Sequence, residues 1–162
     1  MSVGSSRRGW PRLNSLQRKL GKWRALRAWE RRLLVESAGL LVMAWLGLRL
    51  LDFKRVRRFS QPEIGVSSFP GLPRDTNAVD YGQRCAELVG IAGRHGFYKA
   101  TCLPQALVLC RVLRRRGLPA QLRIGVRPQV APFEAHAWVE LDHKVLGPNL
   151  DGYVAFPDSE KT

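Results

Sequence analysis

Two short motifs carry the residue types that cysteine hydrolases use. ATCLPQAL, residues 100–107, places Cys102 just before Pro104, and proline is favoured in the first turn of a helix. FEAHAWVEL, residues 133–141, places His136 within the alternating pattern of a β-strand. A thiol attacks as its thiolate, which the positive end of a helix and a nearby imidazolium both stabilise. We therefore predict that Cys102 is a nucleophile and that His136 is its general base and acid.

A third group is needed to hold the imidazole in the tautomer that accepts the thiol proton. Asp142 and His143 fit a two-residue turn between antiparallel strands. The register set by that turn puts Asn149 opposite His136, and Asp151 lies two residues further along on the same side. Asn149 has the better position and Asp151 has the charge, so both are candidates.

Each of these residues also has a simpler explanation. A cysteine in an apolar helix is usually a core residue, which is what we expect for Cys85 and Cys110. A histidine in a strand is often structural or merely exposed. No CxxC or paired Cys/His spacing indicates zinc, so we expect no metal and no cofactor. If the thiol is inert, the protein is a non-catalytic scaffold or binding subunit instead of an enzyme.

Helical patterns precede strand patterns in the second half of the chain. One helix is predicted to begin with Asp75 or Thr76 as its N-cap and to stop at Gly93 or Gly96. A second is predicted to follow Cys102, with Pro104 in its first position, arginines in its last turn and Gly117 after its end. The residues then alternate with period two over 121–126 and 135–141. Helices followed by antiparallel strands predict an α+β domain.

The first part of the chain is basic and then apolar. Between Arg7 and Arg32 there are ten basic residues and one acid, and the net charge of the whole chain is +14. This balance is typical of proteins that bind anionic lipid, nucleic acid or acidic peptides. We predict four segments. They are a basic flexible arm (1–28), an apolar helix (29–59), a linker with three prolines and two glycines (60–74) and the main domain (75–162).

The apolar run at 33–51 raises the question of a membrane span. Its uncharged portion, residues 37–48, is only 12 residues long, whereas a span needs about 20 predominantly apolar residues. We therefore expect a buried or interfacial helix. The first 32 residues lack the apolar core of a cleaved signal, which predicts a cytoplasmic location with free thiols and leaves membrane association open.

The sequence CLPQALVLCRVLRRRGLPAQLRIGV (102–126), followed by FEAHAWVEL and a short hairpin, resembles the B2 proteins of lasso-peptide biosynthesis. These are leader peptidases of the bacterial transglutaminase-like superfamily, akin to the C-terminal part of the microcin-processing protein. The resemblance covers residues 75–156 well and the apolar helix more loosely. It implies a transglutaminase-like (papain-like) cysteine peptidase domain with an N-terminal helical extension.

The resemblance also implies an activity and partners. A Cys-His-Asp triad, with Cys102 and His136 as its first two members, would cut a precursor peptide at the leader–core junction. A small leader-binding B1 protein and a lasso cyclase are the implied partners, and nucleic acid is not expected. Ungapped extension from AHAWVE puts the family's aspartate at Pro148 or Asn149, so either Asn149 substitutes or a local shift brings in Asp151. The backbone N–H of Cys102 is the expected oxyanion donor, with Gln105 nearby.

Overall fold

The structure is a computed structural model that describes residues 25–51, 55, 77–95, 100–128, 134–148 and 150–157. Residues 1–24 of the predicted arm therefore lie outside the described residues, as do the whole predicted linker and Asn149. The chain divides into two compact units, residues 1–32 and 33–162. In the first unit, the backbone N–H of Arg27 donates to the carboxylate of Glu30 at 2.7 Å.

In the described part of the chain, three helices precede four strands, which confirms the α+β prediction. The helices are α1 (Ala28–Leu50), α2 (Ala78–His95) and α3 (Cys102–Arg114). The strands are β1 (Gln121–Arg127), β2 (Glu134–Leu141), β3 (Lys144–Leu146) and β4 (Val154–Ala155). Helix α1 ends at Leu50. The sequence predicts a helix as far as Phe59, but residues 52–54 and 56–59 lie outside the described part of the chain, so that stretch stays a prediction.

Helix α2 begins after Asn77, whose side-chain Oδ1 accepts the backbone N–H of Val79 at 2.9 Å. The predicted N-cap at Asp75 or Thr76 is wrong, because the three consecutive residues DTN are all good caps and the pattern does not choose among them. Of the two predicted stops, Gly93 lies inside the helix, whereas Gly96 directly follows its last residue, His95. A Cβ there would come within 3.0 Å of the Gln105 side chain, so this glycine makes room for α3.

Helix α3 is the central helix of the domain. It begins at Cys102, so Pro104 is its third residue and not its first. The N–H groups of the whole first turn have no intrahelical partner, so proline is tolerated at either position. At the other end, Gly117 has φ +79° as predicted for a residue beyond the helix, and the N–H of Leu118 donates to the carbonyl of Leu113 at 3.1 Å. The fully buried side chains of α3 are Leu107, Val108, Cys110, Val112 and Leu113.

The four strands form one antiparallel sheet in the order β3-β2-β1-β4. The predicted turn between β2 and β3 is confirmed, since Asp142 and His143 have φ 50° and 60° and Leu141 pairs with Lys144. The β2–β3 ladder stops at Leu146 and does not extend to the position opposite His136. Strand β4 was not predicted, because two residues are too few to show an alternating pattern.

Helix α1 is tied to the end of α3 by a partly buried ion pair. The Glu36 carboxylate lies 3.1 Å from Nη2 of Arg116 and 3.8 Å from Nη1 of Arg115. Beside it, burial raises the pKa of Cys85 to about 11 and that of Tyr81 to about 12, so both groups stay protonated at neutral pH. Cys85 is therefore a core thiol, as the sequence predicts.

Candidate active site

A cleft of about 210 Å³ lies between the start of α3 and strand β2, and both Cys102 and His136 line it. The two residues are distant in the sequence, and the packing of α3 against the sheet brings them to the same depression. Most other lining side chains are apolar; they include Ala86, Val89, Ala106, Leu109, Val139 and Leu146. Such a cleft can exclude water around a reacting carbonyl while a few polar groups face it.

Cys102 is the first residue of α3, and Thr101 before it is the extended N-cap residue. The first helical turn leaves backbone N–H groups without intrahelical partners, and the positive end of the helix dipole lies at this position. Cys102 is partly exposed, whereas Cys85 and Cys110 are fully buried. All three cysteines are free, so Cys102 is the thiol that a substrate in the cleft can reach.

His136 lies on β2, opposite Gly125 of β1, and is partly buried. Burial lowers the pKa of His136 below its ordinary value of 6.5. The imidazole is therefore mostly neutral at pH 7, which is the form that can accept a proton from a thiol. A mostly neutral imidazole thus lines the same cleft as the Cys102 side chain.

Tyr153, just before β4, packs against the imidazole, with its ring centroid 5.5 Å from that of His136 and the two planes inclined by 45°. The Tyr153 hydroxyl donates to the Glu134 carboxylate at 3.1 Å, and the Arg127 guanidinium lies 4.5 Å from the centre of the tyrosine ring. Desolvation and the hydrogen bond to Glu134 raise the pKa of Tyr153, and the charge of a Cys102 thiolate adds to this rise. Tyr153 was not predicted from the sequence, because no local pattern places β4 beside β1.

The candidates for the third member lie after β3. Pro148 lines the cleft, but its side chain has no group that can orient a histidine. Asp151 is an exposed residue in the turn before Tyr153, and its backbone carbonyl accepts a hydrogen bond from Nη2 of Arg127 at 3.0 Å. Arg127 therefore links this turn to β1. With Asn149 outside the described residues, the third member stays a prediction.

Gln105 also lines the cleft, one turn into α3. Its side-chain Nε2 donates to the carbonyl of Ala100 at 2.7 Å, and the N–H of Ala100 donates to the carbonyl of Gly93 at 3.1 Å. These bonds connect the residues before Cys102 to both α2 and α3. Gln105 therefore helps to fix the backbone just before Cys102, and its role as an oxyanion donor stays a prediction.

A free thiol at a helix start and a neutral imidazole share this apolar cleft, which is an arrangement that cysteine-nucleophile enzymes use. The chain belongs to the transglutaminase-like superfamily, whose family model matches residues 43–157. A segment of 55 residues is 42% identical to the microcin J25-processing protein McjB of Escherichia coli. This match confirms the resemblance to the lasso-peptide B2 proteins at the level of the family.

The similarity to McjB is partial in both chains. The matched segment covers 33% of this chain and 26% of McjB, so the chain spans about a quarter of the length of that relative. No solved structure matches the chain.

Proposed function

We propose that this protein is a cysteine peptidase that removes the leader from a ribosomally made lasso-peptide precursor. The observation that carries the proposal is that Cys102, at the start of α3, and His136, on β2, line the same cleft. The superfamily supports a cysteine nucleophile, and the similarity to a protein named for microcin J25 processing supports a peptide precursor as substrate.

In the proposed reaction, neutral His136 takes the proton from the Cys102 sulfur, and the thiolate attacks the carbonyl carbon at the leader–core junction. The tetrahedral intermediate collapses as the C–N bond breaks, and the imidazolium gives its proton to the departing amine of the core. A water molecule then attacks the thioester with His136 as base. The leader leaves with a new carboxylate, and the thiol is restored.

Two further roles belong to this proposal. Either Asn149 or Asp151 orients the His136 imidazole and stabilises its protonated form. The backbone N–H of Cys102 stabilises the negative oxygen of the tetrahedral intermediate, as N–H groups at helix starts do in other acyl-transfer enzymes.

The proposed setting is the cytoplasm, where the precursor peptide is made and where thiols stay reduced. The substrate is the leader–core peptide. The proposed partners are a small leader-binding B1 protein that delivers it and a lasso cyclase that uses the freed core amine.

The test is a leader-cleavage assay with precursor and partner protein, followed by mass spectrometry. Cys102→Ala and His136→Ala are each expected to lower the cleavage rate at least about 10³-fold, since the nucleophile and its base act as a unit. His95→Ala is the matched control, because His95 is exposed at the end of α2. Circular dichroism checks that each variant folds. Cleavage at the wild-type rate by either site variant would remove the proposal.

One observation favours a second candidate, a non-catalytic scaffold: Pro148 and Asn149 stand where the family's aspartate is expected. Alkylation by iodoacetamide across pH 6–9, read per cysteine by mass spectrometry, separates the two. For an enzyme, Cys102 reacts faster than Cys85 and Cys110 at pH 7, and His136→Ala slows it. If His136→Ala leaves the alkylation rate of Cys102 and its pH profile unchanged, the non-catalytic scaffold is the better interpretation.

A further inference from the structure

The side of α1 that faces away from the domain is an exposed apolar surface. Its large side chains are Val35, Met43, Leu46 and Leu50, with Leu51 just after the helix, and their exposed fractions run from 42% to 74%. We call these five residues the outer face of α1. The four helical positions recur at multiples of the helical repeat, so they form one stripe. Contiguous exposed apolar surface of this kind marks an interaction site.

The opposite side of α1 is packed. Leu33, Ser37, Leu41 and Ala44 are buried, and Glu36 pairs with Arg116. Helix α1 is long and apolar enough to cross a membrane by length and composition. A membrane span would expose the packed side of α1 to lipid and separate Glu36 from Arg116. The outer face therefore meets its partner while α1 stays packed along the domain.

The charges around α1 favour an anionic partner. Within residues 33–51 the acid is Glu36, which is bound by Arg116, and the base is Arg49, whose guanidinium lies 4.8 Å from the centre of the Trp45 ring. The preceding segment from Arg7 to Arg32 has ten basic residues and one acid. A second copy of a chain with net charge +14 would be repelled.

We propose that the outer face of α1 docks the protein on an anionic lipid bilayer, with the helix axis in the plane of the interface. Interfacial helices combine an apolar stripe with positive charge in the same chain, and a Trp–Arg pair suits the headgroup region. The five side chains enter the acyl boundary, and the net charge of +14 attracts the chain to the anionic headgroups. The proposal concerns location, goes beyond the proposed function and does not depend on it.

The experiment measures sedimentation of the full-length protein with vesicles of phosphatidylglycerol or of phosphatidylcholine. We expect wild-type protein to pellet with phosphatidylglycerol vesicles, and the double variant Met43→Glu/Leu46→Glu to bind at least ten-fold more weakly. The matched control is Val154→Glu/Phe156→Glu, which adds the same charge at two other exposed apolar residues. It is expected to bind as the wild type does. Far-UV circular dichroism and the urea midpoint check folding, and Met43→Ser/Leu46→Ser, which adds no charge, should also bind more weakly.

Three results would overturn the proposal. One is the absence of pelleting with phosphatidylglycerol vesicles. Another is equal binding by wild-type protein and both outer-face variants, which would assign binding to the basic segment alone. The third is a dimer in analytical ultracentrifugation that the outer-face variants dissociate, together with no vesicle binding, which would assign the face to a second copy.

Discussion

Gly125 is the residue on which the positions of β4 and Tyr153 depend. It lies in β1 between His136 on β2 and Ala155 on β4. A Cβ atom at this position would lie 2.3 Å from the carbonyl oxygen of Val154 and 2.6 Å from Cη2 of Trp138. Both distances are far shorter than van der Waals contact, so Gly125→Ala forces a neighbour to move.

The neighbour that moves is expected to be β4. Trp138 is held, because its Nε1 donates to Glu140 at 2.9 Å and Glu140 pairs with Arg123 at 3.1 Å. Strand β4 is an exposed edge strand of two residues, held to β1 partly by the Phe156 N–H to Ile124 carbonyl bond of 2.8 Å. Overpacking costs about 1–3 kcal/mol, and each released hydrogen bond about 0.5–1.5 kcal/mol. Release of β4 therefore limits the loss of unfolding free energy to about 1–3 kcal/mol.

Urea unfolding and the cleavage assay measure the two consequences. Because the movement of β4 takes Tyr153 away from the His136 ring, we expect leader cleavage to fall by about ten-fold, as for a group that orients a catalytic residue. Gly39→Ala is the matched control. It is an exposed helical position with nothing within 4 Å of the added Cβ, so stability is expected to rise by about 0.5–1 kcal/mol with unchanged cleavage.

A Gly125→Ala variant that unfolds at the wild-type urea concentration and cleaves at the wild-type rate would contradict this prediction. That result would mean that the sheet accepts a side chain between β1 and β4. A loss of stability without any loss of cleavage would show that His136 does not need Tyr153. It would refute the predicted effect on cleavage and leave the predicted effect on stability intact.

Three further predictions concern single interactions. Arg116→Met leaves Glu36 partly buried without its main partner and should cost about 1–3 kcal/mol in urea unfolding, whereas adding Glu36→Gln should recover part of this loss. Since the pKa of His136 is lowered in the fold, kcat/KM should have an acid limb with a midpoint below pH 6.5. The unfolded chain binds the His136 proton more readily than the folded chain does, so the wild type should lose stability relative to His136→Gln as pH falls below 6.5. Tyr153→Phe should cleave nearly as the wild type does, while Tyr153→Ala should lower kcat about ten-fold with little change in KM.

The order of elements and one turn could be predicted from the sequence because their signals are local. Asp142 and His143 between two alternating runs predict the hairpin, and arginines before Gly117 predict the end of α3. The boundaries that were wrong have competing signals: DTN offers three caps for α2, and proline is tolerated throughout the first turn of α3.

The candidate site was only partly predictable. The sequence places Cys102 at a helix start and His136 in a strand, and these residue types predict cysteine-hydrolase chemistry. The structure adds that both residues line one cleft. Tyr153 depends on the pairing of β4 with β1, a contact between residues far apart in the chain that no local pattern encodes. Asn149 would lie opposite His136 only if the β2–β3 ladder continued past Leu146, where β3 ends.

The position of β2 inside the sheet has a consequence for local opening. The strand that carries His136 is flanked by β1 and β3, whereas Tyr153 leads into a short strand at the margin. Amide protons of β2 should therefore exchange with deuterium far more slowly than those of β4. A transient release of β4 therefore leaves the backbone of β2 paired with β1 and β3, while the contact between Tyr153 and the imidazole is lost.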